Sequence, residues 1–251
     1  MKIMHCVTLL AASAVLLGIS IPVQASTLDH RIESSARNSY VFKTYLQKDD
    51  IKIHSVDGVV TLTGTVSDDS HKSLARESVS GLPGVKTVTD KLEVKGGQPA
   101  ENSDEWIKMK VKTTLLFHRS VSGINTEVSD VKDGIVTLRG EATSQAQRDL
   151  TTEYAKAVEG VKDVKNEMTV VGAKASNTVG QDVDDASITA QVKIILLYHR
   201  STSALNTSVT TSNGVVTLGG KATNAADRDL ATKLVGDING VKSVNNRMTV
   251  E

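Results

Sequence analysis

Hydrophobic and polar positions follow the same succession of patterns three times along the chain. In the last two copies a stripe of apolar residues at helical spacing comes first. Its members are Ile107, Val111, Thr114 and Leu115, and then Ile188, Val192, Ile195 and Leu196. Each stripe is followed by two short β-rich runs, a second helix-period stripe and a final alternating run. The order predicted for each copy is therefore helix, strand, strand, helix, strand.

The two β-rich runs meet at a repeated octapeptide. It reads "DGVVTLTG", "DGIVTLRG" and "NGVVTLGG", with turn glycines Gly58, Gly134 and Gly214. Asp-Gly or Asn-Gly between two β-rich runs indicates a hairpin in which both turn residues take positive φ. The second glycine of each copy (Gly64, Gly140, Gly220) indicates a bulge or a close approach of another backbone. We interpret the octapeptide as scaffolding, because a phosphate cradle needs amides converging at a helix N-terminus.

The second helix of each copy ends near Gly84, Gly160 or Gly240, which fit the position just after a helix. As a crossover, this helix places the last strand parallel to another strand. The predicted fold class is α+β. It consists of three tandem α-β-β-α-β domains, each with a mixed three-stranded sheet and two helices on one face.

The repeat spacing sets the domain boundaries. We predict domains over residues 30–94, 104–171 and 184–251, separated by polar, glycine-containing linkers at 95–103 and 172–183. In the first copy, "FKTYL" takes the place of "VKTTL" and "VKIIL" in the first helix, and the "HRS" segment is absent. Domains of this size have small cores, so packing between copies would add stability.

The first 25 residues are typical of a cleavable signal peptide. Lys2 precedes a hydrophobic run, and "VQA" ending at Ala25 has small residues at the cleavage positions. A retained anchor is the alternative. Cys6 is the only cysteine and lies within this segment, so the mature chain has no thiol for a disulfide or a metal. The prediction is an exported, periplasmic protein.

Charge and motifs exclude several function classes. The chain has 29 basic and 29 acidic residues, whereas nucleic-acid binders carry a strongly basic face. No hydrolase, zinc-protease or P-loop motif is present. We therefore expect no enzyme activity, no cofactor, no metal site, no nucleic-acid partner and no small-molecule substrate.

Two histidine–arginine pairs are candidate functional residues. "FHRS" contains Phe117, His118 and Arg119, and "YHRS" contains Tyr198, His199 and Arg200. One interpretation is that these cations complement the negative end of the helix they follow. The other is that they contact a phospholipid headgroup or an acidic partner, because arginine binds phosphate bidentately.

The first helices of copies two and three carry apolar residues on a second side. These residues are Trp106, Met109, Leu116 and Phe117, and then Ile194, Leu197 and Tyr198. Packing against a neighbouring copy, or burial under the loop after the helix, is the favoured explanation. A membrane-facing or partner-facing patch, with Trp106, Lys110 and Phe117 as an interfacial cluster, is the alternative.

The repeated segments resemble the BON domain, named for bacterial osmotically inducible periplasmic protein Y and nodulation. The matching segments are "FKTYL", "VKTTL" and "VKIIL", the three octapeptides above, and "PGVKTV", "EGVKDV" and "NGVKSV". The resemblance implies an α+β sandwich in the periplasm. It also implies non-enzymatic binding of anionic phospholipid surfaces and protection of the envelope under osmotic stress. A chaperone-like or protein-interaction module, with periplasmic or outer-membrane proteins as partners, is the alternative.

Overall fold

The computed structural model describes residues 23–121, 126–172, 182–202 and 206–250. The predicted signal peptide lies outside this part, except that the first helix begins at Val23. Most of the predicted linker at 172–183 also lies outside it.

Domain 1 begins with two helices where one was predicted. Its elements are α1 (Val23–Asn38), α2 (Tyr40–Thr44), β1 (Asp50–Val56), β2 (Val59–Val66), α3 (Asp69–Ser80) and β3 (Thr87–Val94). The prediction that "FKTYL" forms the first helix is wrong, because the long helix is α1 and only Phe42–Thr44 belongs to α2. Ser39 causes the break, since it adopts extended backbone angles and caps α2 by accepting from the Phe42 amide.

Domains 2 and 3 have the predicted order, with the last strand in two pieces. Domain 2 consists of α4 (Asp104–Phe117), β4 (Thr126–Lys132), β5 (Ile135–Ala142), α5 (Gln145–Ala157), β6 (Asp163–Asn166) and β7 (Thr169–Val170). Domain 3 consists of α6 (Asp185–Tyr198), β8 (Asn206–Ser212), β9 (Val215–Ala222), α7 (Ala225–Gly236), β10 (Ser243–Asn246) and β11 (Thr249–Val250). The last strand is interrupted where the side chains of Asn166 and Asn246 accept from the amides of Met168 and Met248.

Each domain has one mixed sheet, which confirms the predicted α+β class. The second strand (β2, β5 or β9) lies in the centre, antiparallel to the first strand and parallel to the last. The parallel pairing follows from the helical crossover. Inward-facing residues of the central strand, such as Val60 and Leu62, are fully buried, whereas the alternate residues are at least partly exposed.

The octapeptide forms a tight hairpin turn in every domain. Asp57 and Gly58 have φ of 52° and 79°, and the other two copies agree within a few degrees. An aspartate in the first half of the first helix accepts hydrogen bonds from both turn amides. Asp29, Asp104 and Asp185 play this part, at 2.7–3.0 Å. The turn amides are thus already bonded within the domain, as scaffolding requires.

Of the two predictions for the later glycines, one is confirmed and the other is wrong. A side chain at Gly64 or Gly220 would overlap a backbone carbonyl oxygen of the neighbouring strand, as the predicted close approach requires. Gly84, Gly160 and Gly240 do not directly follow the helix cap, which falls at Gly81, Val158 and Asp237. They have φ of 87–89° and form the turn after it, which places the chain for the last strand.

The three domains pack against one another around α6. Residues of domains 1 and 3, together with Phe117, form one continuous hydrophobic core, and domain 2 has a core of its own. Eleven of the 14 residues of α6 are buried, because α3 of domain 1 and α4 of domain 2 cover sides that domain 3 alone would leave open. The second apolar side of α6 is therefore largely an interdomain contact.

Candidate functional site

The two histidine–arginine segments join domains 2 and 3 reciprocally. His118, after α4, pairs with Ile238 of domain 3 in an antiparallel bridge, and His199, after α6, pairs with Val158 of domain 2. The Arg119 amide donates to the Asp237 carbonyl and the Arg200 amide donates to the Ala157 carbonyl, each at 2.9 Å. The end of each first helix therefore contacts the end of the other domain's second helix.

Both arginine side chains bind backbone carbonyls at these helix ends. The Arg119 guanidinium donates to the carbonyls of Gly236 and, at 3.0 Å, Val241. The Arg200 guanidinium donates to three carbonyls of domain 2: those of Lys156, Val158 and Val161. Carbonyls in the last turn of a helix lack intrahelical partners and carry partial negative charge. The arginines therefore do complement the negative end of a helix, but this helix is the second helix of the other domain and not the helix that they follow.

His118 is enclosed at this contact. Its ring stacks on Tyr154 at a centroid distance of 3.8 Å, and the Tyr154 hydroxyl donates to Asp237 at 2.6 Å. His118 Nδ1 lies 3.4 Å from the same carboxylate, but neither ring nitrogen makes a well-aligned hydrogen bond to a described residue. Burial alone would raise the pKa of Asp237, but His118 and the hydroxyls of Ser120 and Tyr154 hold that pKa below its ordinary value.

His199 occupies the matching position and stays neutral. Its Nδ1 accepts from the Ser201 amide at 3.2 Å. Burial first, and then the charges of Arg200 and His118, lower the pKa of His199 to about 4. Both candidate histidines are therefore parts of a contact between domains.

Three of the predicted contact residues are buried between domains. Phe117 is 1% exposed, with its ring centroid 5.1 Å from that of Tyr45 in domain 1. Tyr198 is 4% exposed, with its hydroxyl 3.0 Å from the Ser70 hydroxyl on α3. His118 is 2% exposed. For these three side chains the structure corrects the prediction of a membrane or partner contact, because neighbouring domains cover them.

Trp106 and Lys110 lie on another side of α4. Trp106 is half-buried, and the Lys110 ammonium lies 3.4 Å from its ring centroid and 5.0 Å from that of Tyr198. Lys110 is 6% exposed, and its Nζ donates to Glu159 at 3.3 Å. Burial lowers the pKa of Lys110, and the carboxylates of Glu159 and Glu101 partly offset this effect.

Leu197 is the accessible part of the second apolar side. It is 52% exposed on the otherwise buried α6 and forms a ridge between two grooves. The basic groove, about 320 Å³, has Arg76 of domain 1 and Lys193 of domain 3 on its rim. The acidic groove, about 420 Å³, contains Trp106 and Lys110 together with three carboxylates: Asp69, Glu101 and Glu159.

Sequence reasoning missed Arg76, Lys193 and the carboxylates of the acidic groove. Arg76 and Asp69 belong to α3, whose polar residues look like an ordinary solvated helix face. Only the packing of α3 against α6 brings them to Leu197. No signal within a single repeat could have identified them.

Neither a membrane-spanning helix nor a metal-binding cluster occurs in the described ranges. Within residues 23–121, 126–172, 182–202 and 206–250, no helix is both long enough and apolar enough to cross a membrane. The same residues contain no group of three or more histidine, cysteine, aspartate or glutamate side chains arranged to hold a metal ion.

Comparison with known proteins identifies the family. Osmotically-inducible protein Y of Escherichia coli is 35% identical over 57% of this chain and 70% of its own length. Outer membrane lipoprotein DolP of Haemophilus influenzae is 29% identical over 56% of this chain and 71% of its own. A solved structure of CdsD from Chlamydia trachomatis aligns over 88% of this chain and 91% of its own. Its sequence identity of 18% and TM-score of 0.22 are too low to indicate a shared fold or function. The family model of the BON domain matches residues 29–96, 103–172 and 184–251, so the chain belongs to the BON domain family and contains three copies of its domain.

Proposed function

We propose that this protein acts without catalysis in the cell envelope, outside the cytoplasm, by binding the surface of anionic phospholipid membranes under osmotic or related stress. Family membership supports the proposal, since one relative is named for osmotic induction and another as an outer membrane lipoprotein. The predicted signal peptide agrees with this location.

The observation that carries the proposal is the exposure of Leu197 between cations. Arg76 and Lys193 are 48% and 38% exposed in their side chains, and both contact Glu77, which is 20% exposed. An apolar residue beside partly exposed cations suits the boundary between headgroups and acyl chains. We therefore assign the apolar contact with the membrane to Leu197 and not to Phe117 and Tyr198, whose side chains are buried.

Simple energetics give weak, salt-sensitive binding. Inserting one leucine is worth about 1.5–3 kcal/mol at most, and each cation near an anionic surface adds about 1 kcal/mol. Glu77 offsets part of the cationic contribution. We therefore expect binding to vesicles rich in phosphatidylglycerol at low ionic strength and its loss as salt is raised.

Sedimentation of the mature protein with phosphatidylglycerol vesicles tests the proposal. We expect Leu197→Ala and the pair Arg76→Gln with Lys193→Gln each to reduce the bound fraction several-fold. Val56→Ala is a matched control, because Val56 is 53% exposed but lies at the end of β1 in domain 1. Equal binding by all four proteins would overturn the assignment of the ridge. Suppression of aggregation of an unfolded envelope protein without lipid, with no vesicle binding, would favour the protein-interaction alternative.

A further inference from the structure

We propose that the acidic groove binds a zwitterionic headgroup that carries a phosphate diester and a primary ammonium, such as the glycerophosphoethanolamine unit of phosphatidylethanolamine. The inference rests on the proposed function and deepens it, because it names a headgroup chemistry for a site beside the ridge. It stands on the Lys110 ammonium, the surrounding carboxylates and the placement of the groove between three domains.

Lys110 provides the contact for the phosphate. Its ammonium has three N–H donors, and Glu159 is its one hydrogen-bond acceptor among the described residues. The side chain is more than nine-tenths buried but lines the groove, so its remaining donors have little access to water. Besides Glu159, the ammonium has the Trp106 and Tyr198 ring centroids at 3.4 and 5.0 Å, so aromatic faces stabilise its charge in part. A phosphate oxygen in the groove would add a charge-assisted hydrogen bond.

The carboxylates exclude a simple anion as the preferred ligand. Asp69, Glu101 and Glu159 line the same groove as Lys110, so negative groups exceed positive ones by two. A phosphate alone would be repelled by this excess charge. A ligand that also carries an ammonium would place it among the carboxylates while its phosphate faces Lys110. Asp69 also accepts from Gln98 at 2.7 Å and Glu159 accepts from Lys110 at 3.3 Å, which leaves Glu101 as the most available partner.

The groove has the size and position for such a headgroup. Its volume of about 420 Å³ lies within the roughly 300–1,000 Å³ of small-ligand sites. Domain 1 contributes Asp69, domain 2 contributes Trp106 and Lys110, and domain 3 contributes Leu197. Because Leu197 also forms the ridge, a lipid whose headgroup fills the groove can place its acyl chains along the apolar contact.

Trp106 is the only tryptophan in the chain, so its fluorescence reports on this groove. We expect glycerophosphoethanolamine at millimolar concentrations to shift the emission with saturation. Glycerophosphoglycerol, which has only the anion, and ethanolamine, which has only the cation, should bind at least about tenfold more weakly, a difference of about 1.4 kcal/mol. No saturable shift, or equal binding of glycerophosphoglycerol, would overturn the inference.

Three variants assign the site. Lys110→Met keeps the aliphatic stem and removes the ammonium, and should abolish the saturable shift. Glu101→Gln changes an exposed side chain and should weaken binding several-fold, so it remains decisive if Lys110→Met does not fold. Lys112→Met is the matched control, because Lys112 is exposed on the same helix and lies outside this groove. Equal affinities for the control and both groove variants would contradict the assignment.

Vesicle-binding experiments distinguish binding of a lipid from binding of a free headgroup. They also test this inference independently of the proposed function. Adding phosphatidylethanolamine to phosphatidylglycerol vesicles should strengthen binding of the wild type but not of Lys110→Met. Identical binding to both compositions by both proteins would overturn the headgroup inference and leave the membrane proposal standing. Saturable binding of glycerophosphoethanolamine without any vesicle sedimentation would support the groove and contradict the membrane proposal.

Discussion

Domain 3 contacts its two neighbours through different chemistry, although all three domains share one fold. Towards domain 2 it uses backbone pairing and arginine side chains bound to carbonyls at helix ends. Towards domain 1 it uses the apolar side of α6, which packs on α3 within a continuous core. The Tyr40 amide also donates to Asp184 and the Val41 amide to Ser187 at this second contact.

One short segment accounts for the difference. Arg119 and Arg200 each lie fifteen residues after the aspartate that holds the hairpin turn, and domain 1 has Thr44 at that position. Domain 1 thus has no guanidinium to place on a neighbour's helix end, and its first helix is broken at Ser39. Repeats of one fold can therefore associate in different ways when a few residues after the first helix change.

Phe117→Ala should have the largest effect on stability. Phe117 belongs to the core shared by domains 1 and 3, although its helix belongs to domain 2. Truncating a buried phenylalanine costs about 3–5 kcal/mol. Urea unfolding followed by circular dichroism should show this loss. If the variant instead lost vesicle binding while its stability stayed unchanged, Phe117 would be a membrane contact, as the sequence first suggested.

Removing both arginines should weaken the contact between domains 2 and 3 selectively. Each guanidinium makes charge-assisted hydrogen bonds to backbone carbonyls, worth about 1–2 kcal/mol after solvent screening. We expect Arg119→Ala with Arg200→Ala to lower the unfolding midpoint and to speed proteolysis between these domains. Thr44→Ala, at the equivalent position of domain 1, is the control and should change neither. An effect of the control as large as that of the arginine pair would contradict the proposed role.

The same contact should weaken as the pH falls. The pKa of His199 is about 4 in the folded protein, below the ordinary 6.5. Between these values the unfolded chain binds the proton and the folded chain does not. The free energy of unfolding therefore decreases as the pH is lowered through this window, by on the order of 2 kcal/mol. Above the window it does not depend on this group.

Unfolding measured from pH 7 to pH 4 checks the sign of this dependence. His199→Gln should remove most of this slope, whereas His30→Gln, at an exposed position of α1, should leave it unchanged. A slope that persists in His199→Gln would assign the acid sensitivity to other groups.

The ion pair across domains 1 and 3 should have the smallest effect. Lys193 Nζ lies 2.8 Å from Glu77, but both side chains are partly exposed. Such pairs contribute about 0–1 kcal/mol, so Lys193→Met should barely change stability while it weakens binding to anionic vesicles. A large loss of stability would show that this contact depends on charge and not mainly on apolar packing.

Local patterns in the sequence predicted much of the fold and little of the candidate site. The hairpins at Gly58, Gly134 and Gly214 were predictable, because positive φ at two successive turn residues selects Asp-Gly or Asn-Gly. The first helix of domain 1 was not, since "FKTYL" imitates the helical pattern of the other copies while Ser39 ends α1 before it. Arg119 and Arg200 were identified as helix-end cations, but a sequence pattern does not say whose helix end they meet.

The sequence by itself determined the repeated unit, its strand order and its turns, because these depend on backbone preferences and on side-chain periodicity within about 70 residues. Only the tertiary structure decided which apolar residues are exposed. Phe117 and Leu197 look alike in the sequence, yet one is 1% exposed and the other 52%. The reason is that their surroundings come from other domains, and the free energy of burying an apolar side chain depends on which neighbours cover it.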